Sequence, residues 1–188
     1  ADKVLRLAML FHDMGKPLCV TTDEEGIDHF HGHPSVSEEI AGNVLHRLKF
    51  DNDTIYMVKK LVKYHDQYIE PQPKNVRCAI RKMGEDVFPL LLEVKEADVQ
   101  AQSDFLREKK EKNLKDVRDV YQRILAEKQC VSLKTLAING KDLIDQTGMK
   151  PGKELGEVLN ELLDLVTEDP ARNTREYLLK AAKERLKR

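Results

Sequence analysis

Histidine and aspartate keep company in the first hundred residues of this chain: His12-Asp13, the run His29-Phe30-His31-Gly32-His33, His65-Asp66, and Asp98. Imidazole and carboxylate together suit divalent transition metals, and carboxylates alone suit harder ions. Such an ion lowers the pKa of a bound water and orients a phosphate for in-line attack. That chemistry needs ligands from several elements around one cleft. His12-Asp13 ends a mostly apolar stretch, Leu5 to Phe11, where an ionisable pair is costly to bury unless paired or bound to a cation.

Each residue also has a plainer reading. His65, on an apolar face, taken alone reads more readily as a core histidine with one hydrogen bond. His29 and His31 read as loop residues, and His33, before Pro34 and a helix start, as part of a cap. Asp66 is an ordinary helix-end residue, and Asp98 suits a cap or a pair with Lys16. Asp51-Asn52-Asp53 matches an Asp-x-Asp string by letters, but its place at a helix start predicts capping.

Helical periodicity dominates the elements that must position these groups. Residues 3–13 read as a buried helix, ended by Gly15 and Pro17. A loop follows over 18–34, with a short hairpin at Thr21–Phe30. Ser35 and Glu38 match a capping box, predicting a helix over 36–48. The next spans 53–66, with Ile55, Val58, Leu61, Val62 and His65 on one face. Helices are expected at 74–83 and from 86. In the latter Val87, Leu91, Val94 and Asp98 share a face. A charged tract, Glu108 to Asp119, carries a sparse apolar stripe, and 129–139 reads as a linker. Gly140–Gln146 is a short helix, Thr147–Gly152 a turn, Glu154–Val166 amphipathic, and 174–187 a basic helix.

Composition narrows the classes. The chain has 188 residues, 40% hydrophobic and 35% charged, with 5% aromatic and no Trp, which predicts a helix-rich protein without a platform for stacking single-stranded bases. Net charge is −1, with the excess of basic residues in the second half, the better candidate to meet phosphate. Three scattered cysteines form no C-x-x-C pair and suit a reducing cytoplasm. No apolar run is long enough to suggest a membrane partner.

The blocks Leu10-Phe-His12-Asp13-Met-Gly-Lys-Pro17, His29-Phe-His-Gly-His33, Val62-Lys-Tyr-His65 and Glu96-Ala-Asp98 resemble the HD domain of metal-dependent phosphohydrolases over residues 1 to about 105. More narrowly they resemble the HD-containing C-terminal part of bacterial CCA-adding tRNA nucleotidyltransferases and related poly(A) polymerases. The resemblance implies that His12, Asp13 and Asp98 hold a divalent metal ion (magnesium, manganese or nickel). Asp13, Lys16, His33 and His65 would carry the chemistry, with Lys16, His33 and His65 facing the phosphate. In some members the positions of His33 and His65 hold a second metal. The substrate would be a phosphate ester, such as a 2′,3′-cyclic phosphate or a nucleoside monophosphate. One departure stands out: the family pattern has a further histidine before the paired ligands, and here only Ala1 precedes Asp2. The chain is therefore expected to be a fragment.

Residues 136–179, with Asn139-Gly-Lys, Gly148-Met-Lys-Pro-Gly152-Lys, Gly156 and Glu168-Asp-Pro170, resemble the C-terminal module of the same enzymes. Lys150, Gly152 and Lys153, at the start of a helix whose free N–H groups attract anions, would meet tRNA phosphate. A plain connection between two helices accounts for the same residues. The expected fold is all-α: an HD helical bundle with a long connecting helix over 1–128, then a small tRNA-binding-like helical module over 129–188. The parent protein would add nucleotides to tRNA 3′ ends. The alternatives are a non-catalytic RNA-binding arm with a relic metal site, and a free-standing HD nucleotidase.

Overall fold

The computed structural model describes residues 2–102 and 106–187. The end of the first resemblance block, near residue 105, lies outside them. The protein is all-α, with one two-stranded hairpin. Its elements divide into two compact units, Ala1–Tyr68 with Asp86–Asp116, and Ile69–Glu85 with Val117–Arg188. Residues 69–85 and 117–128, expected with the first helices, thus group with the tail.

In the first unit, α1 (Lys3–Phe11) starts where Asp2 accepts a bond from the Val4 amide. A turn leads to short α2 (Lys16–Cys19), then the hairpin of β1 (Thr21–Thr22) and β2 (Asp28–His29). Next come α3 (His33–Arg47), α4 (Asn52–Tyr64) and, after the second unit's first helix, α6 (Val87–Ala101). Phe11, Ala41, Leu45, Ile55, Val58 and Val62 form a core where α1, α3 and α4 meet. Helix α1 is less buried than its apolar composition predicts: only Ala8 and Phe11 are buried, and Leu10 is 64% exposed. One stripe packs on α3, α4 and α6, while the opposite face is open.

Helix α3 corrects a predicted boundary. It starts at His33, not after Ser35. Gly32, at φ 82°, takes the left-handed conformation that ends the preceding turn, and Pro34 occupies the first helical turn, where its missing N–H costs nothing. Glu38 therefore makes no capping box, and its carboxylate pairs instead with Lys59 and Lys63 of α4. At the α4 start, Asp51 does cap, accepting from the Thr54 amide at 2.7 Å and its hydroxyl at 2.8 Å.

The second unit contains α5 (Pro73–Met83), the later part of α7 (Arg107–Ala126), α8 (Gly140–Thr147), α9 (Lys153–Glu168) and α10 (Arg175–Arg185). Leu143, Val158, Leu162, Leu163, Val166 and Leu178 make its core. Asn139 and Asp142 form a reciprocal capping box on α8, and Gly148 at φ 73° ends it. Residues 129–139 are not a loose linker. Cys130, Leu136 and Ile138 are buried in that core, and Asn173 binds the Ala137 amide and the Thr135 carbonyl. Six of the eleven positions are apolar, but they follow no helical or strand period, which concealed this. Arg77, 4% exposed, donates to the carbonyls of Thr167 and Glu168 at 2.8 and 3.1 Å and to Gln129. It closes the C-terminal end of α9, whose last carbonyls lack helical partners.

Two stability measurements follow. Hydrogen bonds from Thr54 hold the Asp51 carboxyl well below the usual range, to about 2. A lowered folded-state pKa adds stability above the unfolded value of 3.8, which is lost as pH falls toward 2. Asp51→Ala should therefore lower the circular-dichroism melting midpoint at pH 7, and its difference from wild type should vanish between pH 4 and 2. Arg77→Met strands the buried Thr167 carbonyl and should lower the urea-unfolding free energy by about 1.5–3 kcal/mol, the worth of one charged hydrogen bond.

Candidate metal centre

Three histidines are held the same way. His12 Nδ1 lies 2.8 Å from the Met9 carbonyl, His33 Nδ1 2.9 Å from Phe30 O, and His65 Nδ1 2.7 Å from Val62 O. Each partner is three residues back in the chain. A carbonyl only accepts, so each Nδ1 carries a proton, and in the neutral ring each Nε2 keeps its lone pair. His12 and His65 follow the last residues of α1 and α4, and the carbonyls they meet lie in the final turn, where helical donors run out.

The free nitrogens converge on Asp13. Its Oδ1 lies 3.3 Å from His33 Nε2 and 3.6 Å from His65 Nε2, while these two nitrogens are 3.3 Å apart. Its Oδ2 lies 3.3 Å from His12 Nε2 and 2.7 Å from Lys16 Nζ. Asp98, on α6, places Oδ1 3.4 Å from His12 Nε2. One donor atom each from Asp13, His33 and His65 falls within 4.8 Å of the other two. Asp13 thus shares its two oxygens between a His33–His65 side and a His12–Asp98 side.

Geometry at Gly15 sets Asp13 in place. The Gly15 amide donates to Ser37 Oγ at 2.8 Å, tying the turn after α1 to α3. A Cβ on Gly15 would lie 2.6 Å from the His33 carbonyl and 2.8 Å from the Ser37 nitrogen. Its φ of −81° suits any residue, so glycine is needed here for space alone.

Electrostatics follow from these contacts. The hydrogen bond to Asp98 raises the His12 pKa against the effect of burial. Burial lowers that of His65, helped by the neighbouring His12 and His33. Burial works to raise the Asp98 carboxyl, but bonds with His12 and Gln102 keep it below the usual carboxylate range. Lys95, one turn before Asp98, is pushed down to about 8 by burial and donates to the His65 carbonyl at 2.6 Å. Sequence reading passed over Lys95 and Ser37. The α6 spacing that singled out Asp98 places Lys95 three residues earlier on the same side. Nothing in sequence marked Ser37, whose partner is a backbone amide.

Of the residues expected to act together, His12, Asp13, Lys16, His33, His65 and Asp98 meet in this one cluster. His33 and His65, expected opposite the phosphate, stand among the donors closest to Asp13. His29 pairs with Asp23 at 2.7 Å and stacks on the His31 ring at 5.5 Å, outside the donor group. In the other unit, Lys150, Gly152 and Lys153 lie exposed in the turn and first residue of α9, and Gly152 provides no side-chain cap. Lys153 also reaches Glu157 at 3.5 Å.

A helical protein with an Asp–His–His donor group defines only a class. Residues 19–182 match the family described as tRNA nucleotidyltransferase domain 2, and the chain belongs to that family. It is 31% identical over 174 residues to an A-adding tRNA nucleotidyltransferase of Deinococcus radiodurans, covering 87% of this chain and 38% of that protein. It is 32% identical over 164 residues to a CC-adding tRNA nucleotidyltransferase of Thermus thermophilus, covering 87% of this chain and 36% of that protein. A CCA-adding enzyme of Ligilactobacillus salivarius is 44% identical over 55 residues, 29% of this chain and 14% of that one. The chain thus spans little more than a third of the first two relatives. No solved structure matches it. Among the described residues no helix is long and apolar enough to cross a membrane.

Gly15→Ala tests the packing that places Asp13. With its backbone angle acceptable, the whole cost comes from overlap, and urea unfolding should show a loss of about 1–3 kcal/mol.

Proposed function

We propose that the first unit is an HD-type, metal-dependent phosphohydrolase centre, carried by a protein that adds nucleotides to tRNA 3′ ends. The observation that carries this reading is the meeting of His33 Nε2 and His65 Nε2 at 3.3 Å beside Asp13, each left with a lone pair in the neutral ring whose Nδ1 donates to backbone. Two lone pairs that close repel, and a carboxylate oxygen next to them adds to the repulsion. A shared proton or a cation removes it. Imidazole nitrogens with carboxylates on either side are the donor set of a divalent transition metal, and the backbone bonds at each Nδ1 are the supporting contacts such ligands use.

On this reading Asp13, His33 and His65 hold one ion, and His12 and Asp98 complete the cluster through the other oxygen of Asp13. When bound, a divalent ion supplies Lewis-acid charge to a phosphate oxygen and acidity to a water. The chain does the rest. Lys16, fixed by Asp13 and set over the Phe30 ring at 5.7 Å, brings a cation to the phosphate of a phosphate ester or nucleotide. Lys95 steadies the end of α4, and with it His65. Asp98 orients His12 and keeps it ready to hold a proton.

For the second unit we propose contact with the tRNA backbone at Lys150, Gly152 and Lys153. What supports it is the uncapped start of α9 flanked by two exposed lysines, together with the family and its tRNA-acting relatives. Such contacts position a nucleic acid without reading its sequence. The tRNA chemistry of the relatives favours a cytoplasmic protein.

Calorimetric titration with manganese or nickel, paired with hydrolysis of 2′,3′-cyclic AMP, tests the metal reading. Asp13→Ala should abolish both signals, and His12→Ala or Asp98→Asn should weaken metal affinity by at least about tenfold. Equal metal binding by wild type and Asp13→Ala, with no turnover in either, would leave a relic site on an RNA-binding arm.

A further inference from the structure

Three of the chain's five tyrosines fall within residues 56–68, on or just after α4. Tyr56 is 49% exposed, and Tyr68, beyond the helix end, is 73% exposed. Tyr56, Lys60 and Tyr64 recur every four residues, so they line one side of α4. The Lys60 ammonium lies 5.7 Å from the centre of each of the two flanking rings. Among the described residues, Lys60 is in no ion pair, whereas its neighbours Lys59 and Lys63 share Glu38. An alkylammonium between two aromatic rings is thus presented without a countercharge. Helix α4 carries three lysines, Lys59, Lys60 and Lys63, against one acidic residue, Asp53.

We propose that this face of α4 binds single-stranded RNA. Base faces stack on Tyr56 and Tyr64, and Lys60 meets the phosphate between them. Aromatic rings interleaved with unpaired cations are what sequence-tolerant single-strand binding uses. The two tyrosines stand about 12 Å apart along the helix axis, from eight residues at 1.5 Å each. Tyr64 directly precedes His65, so the ladder runs toward the Asp13 cluster. A strand laid on α4 would bring its end to that cluster, which makes an RNA end, and not a free nucleotide, the substrate class of the site. This last step rests on the metal reading above; the stacking surface does not. On this proposal few aromatic residues in total make a platform because they are gathered on one helix.

The same ladder would add a little helix stability with no partner at all, so the test reads RNA affinity. The full 188-residue chain is titrated into a fluorescein-labelled 12-nucleotide single-stranded RNA of mixed sequence, in EDTA, with anisotropy as the signal. Tyr56→Ala and Tyr64→Ala should each weaken binding roughly five- to 100-fold, the range of one lost base stack. Tyr56→Phe should stay within about twofold, since the ring face remains. Lys60→Met should lower the slope of log affinity against log salt by about one. Should Tyr64→Ala lose its helical signal, exposed Tyr56 decides alone. Wild-type affinity in folded Tyr56→Ala, or no single-strand binding by the wild type, overturns the proposal. A protein partner for this face would give that same result. Because EDTA removes metal, the outcome stands apart from whether the Asp13 cluster holds an ion.

Discussion

A carbonyl three residues back fixes the proton on one nitrogen of His12, His33 and His65, and so fixes where the other nitrogen's lone pair points. All three point at Asp13. Everything distinctive in the first unit serves or suffers this convergence. The ends of α1 and α4 supply carbonyls with no helical donor, and the turn before α3 supplies the third. Gly15 lets the Asp13 turn lie against α3, where even a methyl group would collide with backbone. From one side of α6, Asp98 meets His12 and Lys95 meets the His65 carbonyl. Lone pairs and carboxylates gathered so closely repel, and the tight packing around them leaves no easy way to spread apart. On the proposed reading, a cation among these donors turns that repulsion into binding.

This convergence also explains why charge and apolar packing share the same helices. The core residues Val58 and Val62 sit on the α4 face that ends in His65, and Phe11 immediately precedes His12. The core orients the ligands because both belong to one rigid stripe. On the opposite face of α4 the same rigidity holds Tyr56, Lys60 and Tyr64 in register. One helix thus offers a donor at its end and a cationic aromatic ladder along its side. The second unit stands on different physics: an apolar core closed by Arg77, a capping box at Asn139, and an α9 start left uncapped.

Much of this was legible in the residues. The apolar spacing of Val87, Leu91 and Val94 put Asp98 on the inward side of its helix, and the distance to His12 agrees. Asp51 reads as a cap and is one. The tail helices fall within two residues of their predicted bounds, because Gly148 and the 167–170 stop are strong local signals. Other features lie beyond local pattern. Ser35 with Glu38 looks like a capping box, yet Gly32 and Pro34 begin the helix sooner. Residues 129–139 lack periodicity but fill a core, since irregular backbone hides its burial. The grouping of residues 69–85 with the tail depends on long-range contacts, such as Arg77 with Thr167, that no short window contains. Lys95 and Ser37 act on backbone atoms, which carry no sequence mark.

The protonation pattern of the three imidazoles is the centre of the account, and nitrogen NMR reads it directly. A two-bond 15N–1H correlation spectrum at pH 8.5, followed through a zinc titration, separates Nδ1 from Nε2 in each ring. The account predicts Nδ1–H tautomers for His12, His33 and His65 and a joint, saturating shift of their Nε2 signals as zinc is added, with His29, His31 and His46 unmoved. Nε2–H tautomers at His33 and His65, or Nε2 signals indifferent to zinc, would contradict it.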